Sequence, residues 1–200
     1  MPEENIVIAH RIHLKIYLDH PQDLDTQSLI PVFHRIIQEH RLDEMLIDVA
    51  DYRHVPDGPG LLLIAHEADL RLDATDGRLG LLYARKRPQE GPFSERLRHT
   101  FRQTLKAARV LSDEAPNLHF RTDRWSLRLA DRLHAPNRRD TLDAIQPVLR
   151  DLLTDLEVDP SPEITWEEDP RGLFGLQVRL AQAPALDTFL ERLDMPVLAA

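Results

Sequence analysis

The chain contains no cysteine, which excludes disulfide frameworks, thiolate metal sites and cysteine nucleophiles together. Glycine is scarce, seven in 200 residues, and neither G-x-G-x-x-G nor G-x-x-x-x-G-K-[ST] occurs, so dinucleotide and P-loop phosphate cradles fall away. The longest uninterrupted apolar run is Leu61–Ala65, far short of the roughly 20 residues a transmembrane helix needs. None of the serines (Ser28, Ser94, Ser112, Ser126, Ser161) sits in a G-x-S-x-G elbow. The opening residues Met1–Asn5 lack the positive charge and apolar stretch of a secretory signal, and a cytoplasmic protein with no membrane association is expected.

What is present fits one ordinary domain or two small ones, 23.1 kDa with 42% hydrophobic and 30% charged residues. The net charge of −9 argues against nonspecific nucleic-acid binding by the whole chain. It hides an asymmetry, because Arg85–Arg109 holds eight cations against Glu90 and Glu95, leaving that segment at +6 and the remainder at −15.

Periodicity yields an α+β class. Ile12, Leu14, Ile16 and Leu18 alternate with His13, Lys15, Tyr17 and Asp19, a strand with one buried face. A helix capped by Asp25 or Thr26 is expected to reach Glu39 or His40, with Val32, Phe33, Ile36 and Ile37 inward. Strands are expected at 46–55, 61–72 and 78–85, with a turn at Pro56–Gly60 and another at Asp76-Gly77. The longest helix, 93–112, buries Leu97, Phe101, Leu105, Ala108 and Leu111 and turns Arg98, Arg102, Lys106 and Arg109 outward. Strands 118–122 and 125–133 around a tight turn at Asp123-Arg124 follow, then a helix to Leu156, strands 163–168 and 173–181, and a closing helix 184–193.

At an offset of about 115 the halves 10–112 and 117–195 match in places: Asp25-Thr26 falls on Asp140-Thr141, and Pro31-Val32-Phe33 on Pro147-Val148-Leu149. One reading is two strand-helix-strand-strand repeats related by a pseudo-twofold axis, with helices on one face of antiparallel sheet. The other is two ordinary α+β units in one domain spanning 1–200.

The least generic segment is Asp48–Gly60 with Ile64-Ala65-His66-Glu67. It contains Asp51-Tyr52-Arg53-His54-Val55-Pro56-Asp57-Gly58-Pro59-Gly60, and it resembles a bacterial family whose members show D-Y-x-H-V-P-x-G-P-G followed by L-I-x-H-E. The likeness extends to Asp131-Arg132-Leu133, Ala135-Pro136-Asn137 and Asp169-Pro170-Arg171. It implies a common domain and carries over no activity, cofactor or catalytic residue.

If Val55 faces Gly60 across the turn, opposed residues sum to 115, Glu67 faces Asp48, and Ala50, Tyr52, His54 and Ala65 share their side. Two carboxylates so placed repel unless a cation, a proton or a bulge intervenes. A divalent metal on Asp48, Glu67 and His54 is one resolution, and a carboxyl of raised pKa is another. The third is a bulge that leaves both acids wet or paired with Arg53 or Arg71. His66-Glu67 is not a zinc-protease motif, since position 70 is Leu70. The outer face of Arg98, Arg102, Lys106 and Arg109 offers a site for an anion or, equally, a solvated face balanced by acids elsewhere.

Two functional readings emerge. The first is a non-enzymatic binding or assembly module for a protein partner or small anionic ligand, as a homo-oligomer or with another protein, and with no cofactor. The second is a metal-dependent or acid/base enzyme using the 48–67 hairpin, with Asp48, Asp51, His54, His66 and Glu67 as candidates. Nucleic acid is disfavoured, because no aromatic ladder accompanies the arginines.

Overall fold

The computed structural model describes residues 9–56, 58–157 and 161–195. Asp57 of the expected turn and the opening Met1–Asn5 lie outside the described residues. The protein is α+β, with, among the described residues, one antiparallel sheet of eight strands and four helices layered on it. The strands are β1 (Ile12–Leu18), β2 (Leu46–Asp51), β3 (Leu61–Ala65), β4 (Ala68–Asp73), β5 (Gly80–Arg85), β6 (Phe120–Leu129), β7 (Glu163–Trp166) and β8 (Phe174–Arg179), in the order β2-β3-β4-β5-β1-β6-β8-β7. The helices are α1 (Ile30–Gln38), α2 (Phe93–Glu114), α3 (Arg139–Asp155) and α4 (Leu186–Asp194).

Strict alternation gives the sheet two unlike faces. Ile12, Leu14, Ile16, Leu70, Leu72, Leu81, Trp125, Leu127 and Leu176 point to the helical layer and form one core with Phe33, Leu97, Phe101, Leu149 and Phe189. Trp125 sits at its middle, edge-on to Phe101 at 5.0 Å and 5.6 Å from Phe189. Helix α2 packs across β1, β5 and α4, so the longest helix covers the sheet's centre.

Four expectations are corrected. Residues 61–72 form two strands, because the chain reverses at His66-Glu67; the unbroken apolar run there read as a single strand. Asp123-Arg124 is not a hairpin turn, since β6 runs through it and residues 122–124 bulge out between Trp125, opposite Ile16, and Arg121, opposite Tyr17. That bulge presents the Thr122 carbonyl to the Trp125 indole N–H at 2.8 Å. The β2–β3 pairs Asp48–Ile64, Val49–Leu63 and Ala50–Leu62 sum to 112, not 115, with a register shift between Leu46 and Asp48. The Asp25 cap closes a short 3-10 turn, Thr26–Leu29, ahead of α1, so the expected helix begins later.

Both halves lie in the same sheet and meet at β1 and β6. The residues aligned by the offset hold different positions: Pro31 opens α1 whereas Pro147 lies inside α3, and β3 is three strands from β1 whereas β8 adjoins β6.

Gly80 lies where β5 passes β1, and a Cβ there would stand 2.5 Å from the Ile16 carbonyl oxygen. Gly80→Ala is therefore expected to lower unfolding stability by about 1–3 kcal/mol in urea titration, the cost typical of overpacking. Gly77 has nothing within 4 Å of such an atom but has φ +77, so Gly77→Ala incurs backbone strain without the clash.

Candidate functional site

The hairpin residues do not assemble. Glu67 lies in the β3–β4 turn, where it accepts from Arg85 at 2.9 Å and contacts His66 Nδ1 at 2.9 Å, so it does not face Asp48. Asp48 is exposed and accepts its neighbour Val49's backbone N–H. Asp51 forms a fork with Arg53 at 2.6 and 2.8 Å, which holds its carboxyl down at about 2. His54 is exposed and stacks loosely on Tyr52. Among the described residues no group of three or more His, Asp or Glu side chains is placed to hold a metal ion.

The outward face of α2 is occupied by the protein's own acceptors. Arg98 donates to the Arg192 and Met195 carbonyls, Arg102 pairs with Asp194 at 2.5 Å, Lys106 with Asp43 at 2.6 Å, and Arg109 with Asp113 and Asp187. Arg102, Lys106 and Arg109 are thus balanced by Asp43, Asp113 and two acids of α4. The motif residues after β6 serve as a clasp. His134 pairs with Asp131, Arg132 donates to the Arg171 carbonyl, and Asn137 donates to the Glu167 and Asp169 carbonyls at 2.8 Å while accepting from the Trp166 indole.

Convergent chemistry lies elsewhere, on the sheet face that carries no helix. Lys15, in the central strand, is 3% exposed, and its ammonium donates to Asp73 at 2.8 Å and to Asp76 at 2.6 Å. Thr75 supports Asp73, and the Tyr17 hydroxyl donates to Asp76 at 2.7 Å while accepting from Arg78 at 2.8 Å. Arg78 also reaches Gln177, whose amide donates to Glu167 at 2.6 Å, and Glu167 accepts from Arg128 at 3.1 Å. One polar chain thus crosses the sheet from Asp73 to Arg128. Gly175 makes room for it, since a Cβ there would meet Glu167 at 2.7 Å. Burial opposes ionisation of Asp76, but Lys15 and Tyr17 donate to it and hold its carboxyl below the usual value. Burial, with Asp76 beside it, pushes the Tyr17 phenol up.

The carboxylates of this face are therefore engaged, and its guanidinium groups are not all matched. Arg71 lies between Leu62 and Leu82 on the adjacent strands. Its same-face neighbours on β4 are committed, Asp69 to Lys86 and Asp73 to Lys15. Among the described residues Arg71 makes no hydrogen bond or ion pair, and its Nε is buried without a partner. It borders two adjoining cavities, one of about 160 Å³ over Lys15, Ser126 and Arg128 and a more open one of about 380 Å³ by Arg11 and Ala84. His13 lines both. Six cations against three carboxylates line the pair, in a chain whose net charge is −9. Burial, then the charges of Arg71, Arg11 and Arg128, lower the His13 pKa to about 4 despite a backbone hydrogen bond at Arg85 that opposes them.

Sequence reasoning read His13, Lys15 and Tyr17 only as the polar side of an alternating strand. The available signal was that Asp69-x-Arg71-x-Asp73, Arg124-x-Ser126-x-Arg128 and Gln177-x-Arg179 share that alternation, so a single sheet collects them on one face. Compared with known protein families and curated proteins, the chain matches neither a family nor a curated sequence.

Two expectations follow. Lys15→Met leaves the buried Asp73 and the half-buried Asp76 without their cation and should cost about 3–5 kcal/mol in chemical denaturation. His13 has a folded pKa of about 4 against 6.5 unfolded, so between those values the unfolded chain binds more protons and stability falls as pH drops. The loss through His13 should approach roughly 3 kcal/mol by pH 4 and be absent in His13→Asn, measured by urea midpoints across that range.

Proposed function

We propose that the protein is a cytoplasmic, non-enzymatic binding module for a small anionic ligand, seated on the open face of the sheet against Arg71, His13 and Arg128. The observation that carries this reading is the uncompensated Arg71 guanidinium at the mouth of a cavity already rich in cations. A half-buried guanidinium flanked by leucines gains little from water on its covered side, and a bound phosphate or carboxylate supplies the charge-assisted hydrogen bonds it lacks. The smaller of the two adjoining cavities, about 160 Å³, has room for one anionic head group beside Arg71, His13 and Arg128. Arg11 and Arg71 supply attraction at the entrance, and Ser126 and Lys15 form the floor.

The chemistry favours binding over turnover. His13 is held neutral, and the carboxylates beside it are committed to Lys15, Lys86 and Tyr17, so among the described residues no unengaged acid stands near the Arg71 guanidinium. An anion placed between the three arginines offsets their field at His13 and raises its proton affinity, which couples binding to proton uptake below neutral pH.

Thermal unfolding in methylphosphonate or inorganic phosphate, against chloride at equal ionic strength, tests the proposal. Both anions should raise Tm in a concentration-dependent way. Arg71→Ala should reduce that rise, and Arg98→Ala should retain it in full. Equal Tm in all three salts, or an unchanged response in Arg71→Ala, would overturn it.

A further inference from the structure

The same sheet face carries a second cationic cavity, of about 190 Å³, at the β6–β8–β7 end. Arg124 and Arg179 stand opposite one another across β6 and β8, and Arg78 reaches in from the β4–β5 turn. Arg124 Nε is buried without a hydrogen-bond acceptor and lies 3.8 Å from Asp123, and Arg179 makes no ion pair among the described residues. Glu163 on β7 is the one carboxylate among the described residues that line it, against three arginines, of which Arg78 also lies 3.7 Å from Asp76.

Arg124 and Arg128 are on one strand and one face, four residues apart in an unbroken pairing with β8, which separates their backbones by about 14 Å. Lys15, which lines the first cavity, and Gln177, which lines the second, are linked through Asp76 and the Tyr17 hydroxyl. Polar groups thus join two anion-binding ends through a neutralised middle. The face offers no base-stacking platform: its aromatic ring, Tyr17, is 3% exposed and capped by the Arg78 guanidinium at 4.1 Å.

We infer that the ligand is an elongated small molecule with an anionic group at each end, one held by Arg71, His13 and Arg128 and the other by Arg124, Arg179 and Arg78. This rests on the anion-binding reading above and adds a second head group and a span. Linking two heads makes the second contact intramolecular, so a molecule of matching length binds far more tightly than either head alone.

The test is calorimetric titration with methylphosphonate and with a series of linear α,ω-alkane bisphosphonates from propane to dodecane. Affinity should climb with length and peak where the heads lie about 14 Å apart, at least about 100-fold above methylphosphonate. The double variant Arg124→Ala/Arg179→Ala should bring the best bisphosphonate down to the level of methylphosphonate and reduce methylphosphonate itself from two sites to the one that depends on Arg71. Arg71-dependent binding of methylphosphonate with affinity flat along the series would overturn the two-headed ligand and leave the single anion site standing. No Arg71-dependent binding of any compound would overturn both. Tighter binding of a short single-stranded RNA than of every bisphosphonate would overturn the small-molecule class in favour of a polymer.

Discussion

A buried ammonium group governs the open face of this sheet. Lys15 sits in the central strand with almost no contact with water, and an unpaired charge there would cost several kcal/mol in desolvation. Asp73 and Asp76 offset that cost, which requires the β4–β5 turn to fold over β1 and fixes Tyr17 and Arg78 in its train. Once those carboxylates are committed to Lys15, none remains for Arg71. The cationic character of the cavities follows from how the acids are distributed more than from how many bases there are.

The two basic regions of the chain show the contrast. On α2 the cations face outward on a helix, where long side chains reach acids in the 39–43 connection, on their own helix and on α4, and each finds a partner. On the sheet each side chain is restricted to neighbours set by register, and Arg71 draws Leu62 and Leu82. Charge density along the sequence points to the helix; charge left over after pairing points to the sheet.

Much of the fold was legible because it depends on local period. The alternation in β1, the apolar stripe of α2 and the antiparallel α+β class all follow from spacing that neighbouring residues express. The break at His66-Glu67 was hidden because the wholly apolar run 61–65 shows no alternation whose phase could be compared with the alternating Ala68–Asp73 that follows it. The 122–124 bulge read as a turn because Asp123-Arg124 has turn composition, while the pairing of both flanks with the same strand is a long-range fact. The candidate site was illegible for the same reason. Its residues come from β1, β4, β6 and β8, and only the order of strands reveals that Arg71 and Arg128 border one cavity.

That strand order has a mechanical consequence. The β1–β6 seam is where the first half of the chain meets the second, and the cavities lie astride it, with Arg71 and His13 contributed from one side and Arg128, Arg124 and Arg179 from the other. A molecule bridging those arginines would act as a stitch across the seam. Cut in the 115–119 connection, the two pieces would each keep a hydrophobic sheet face and neither would keep the whole arginine lining of the cavities, so an anion held between those arginines would report on their reassociation.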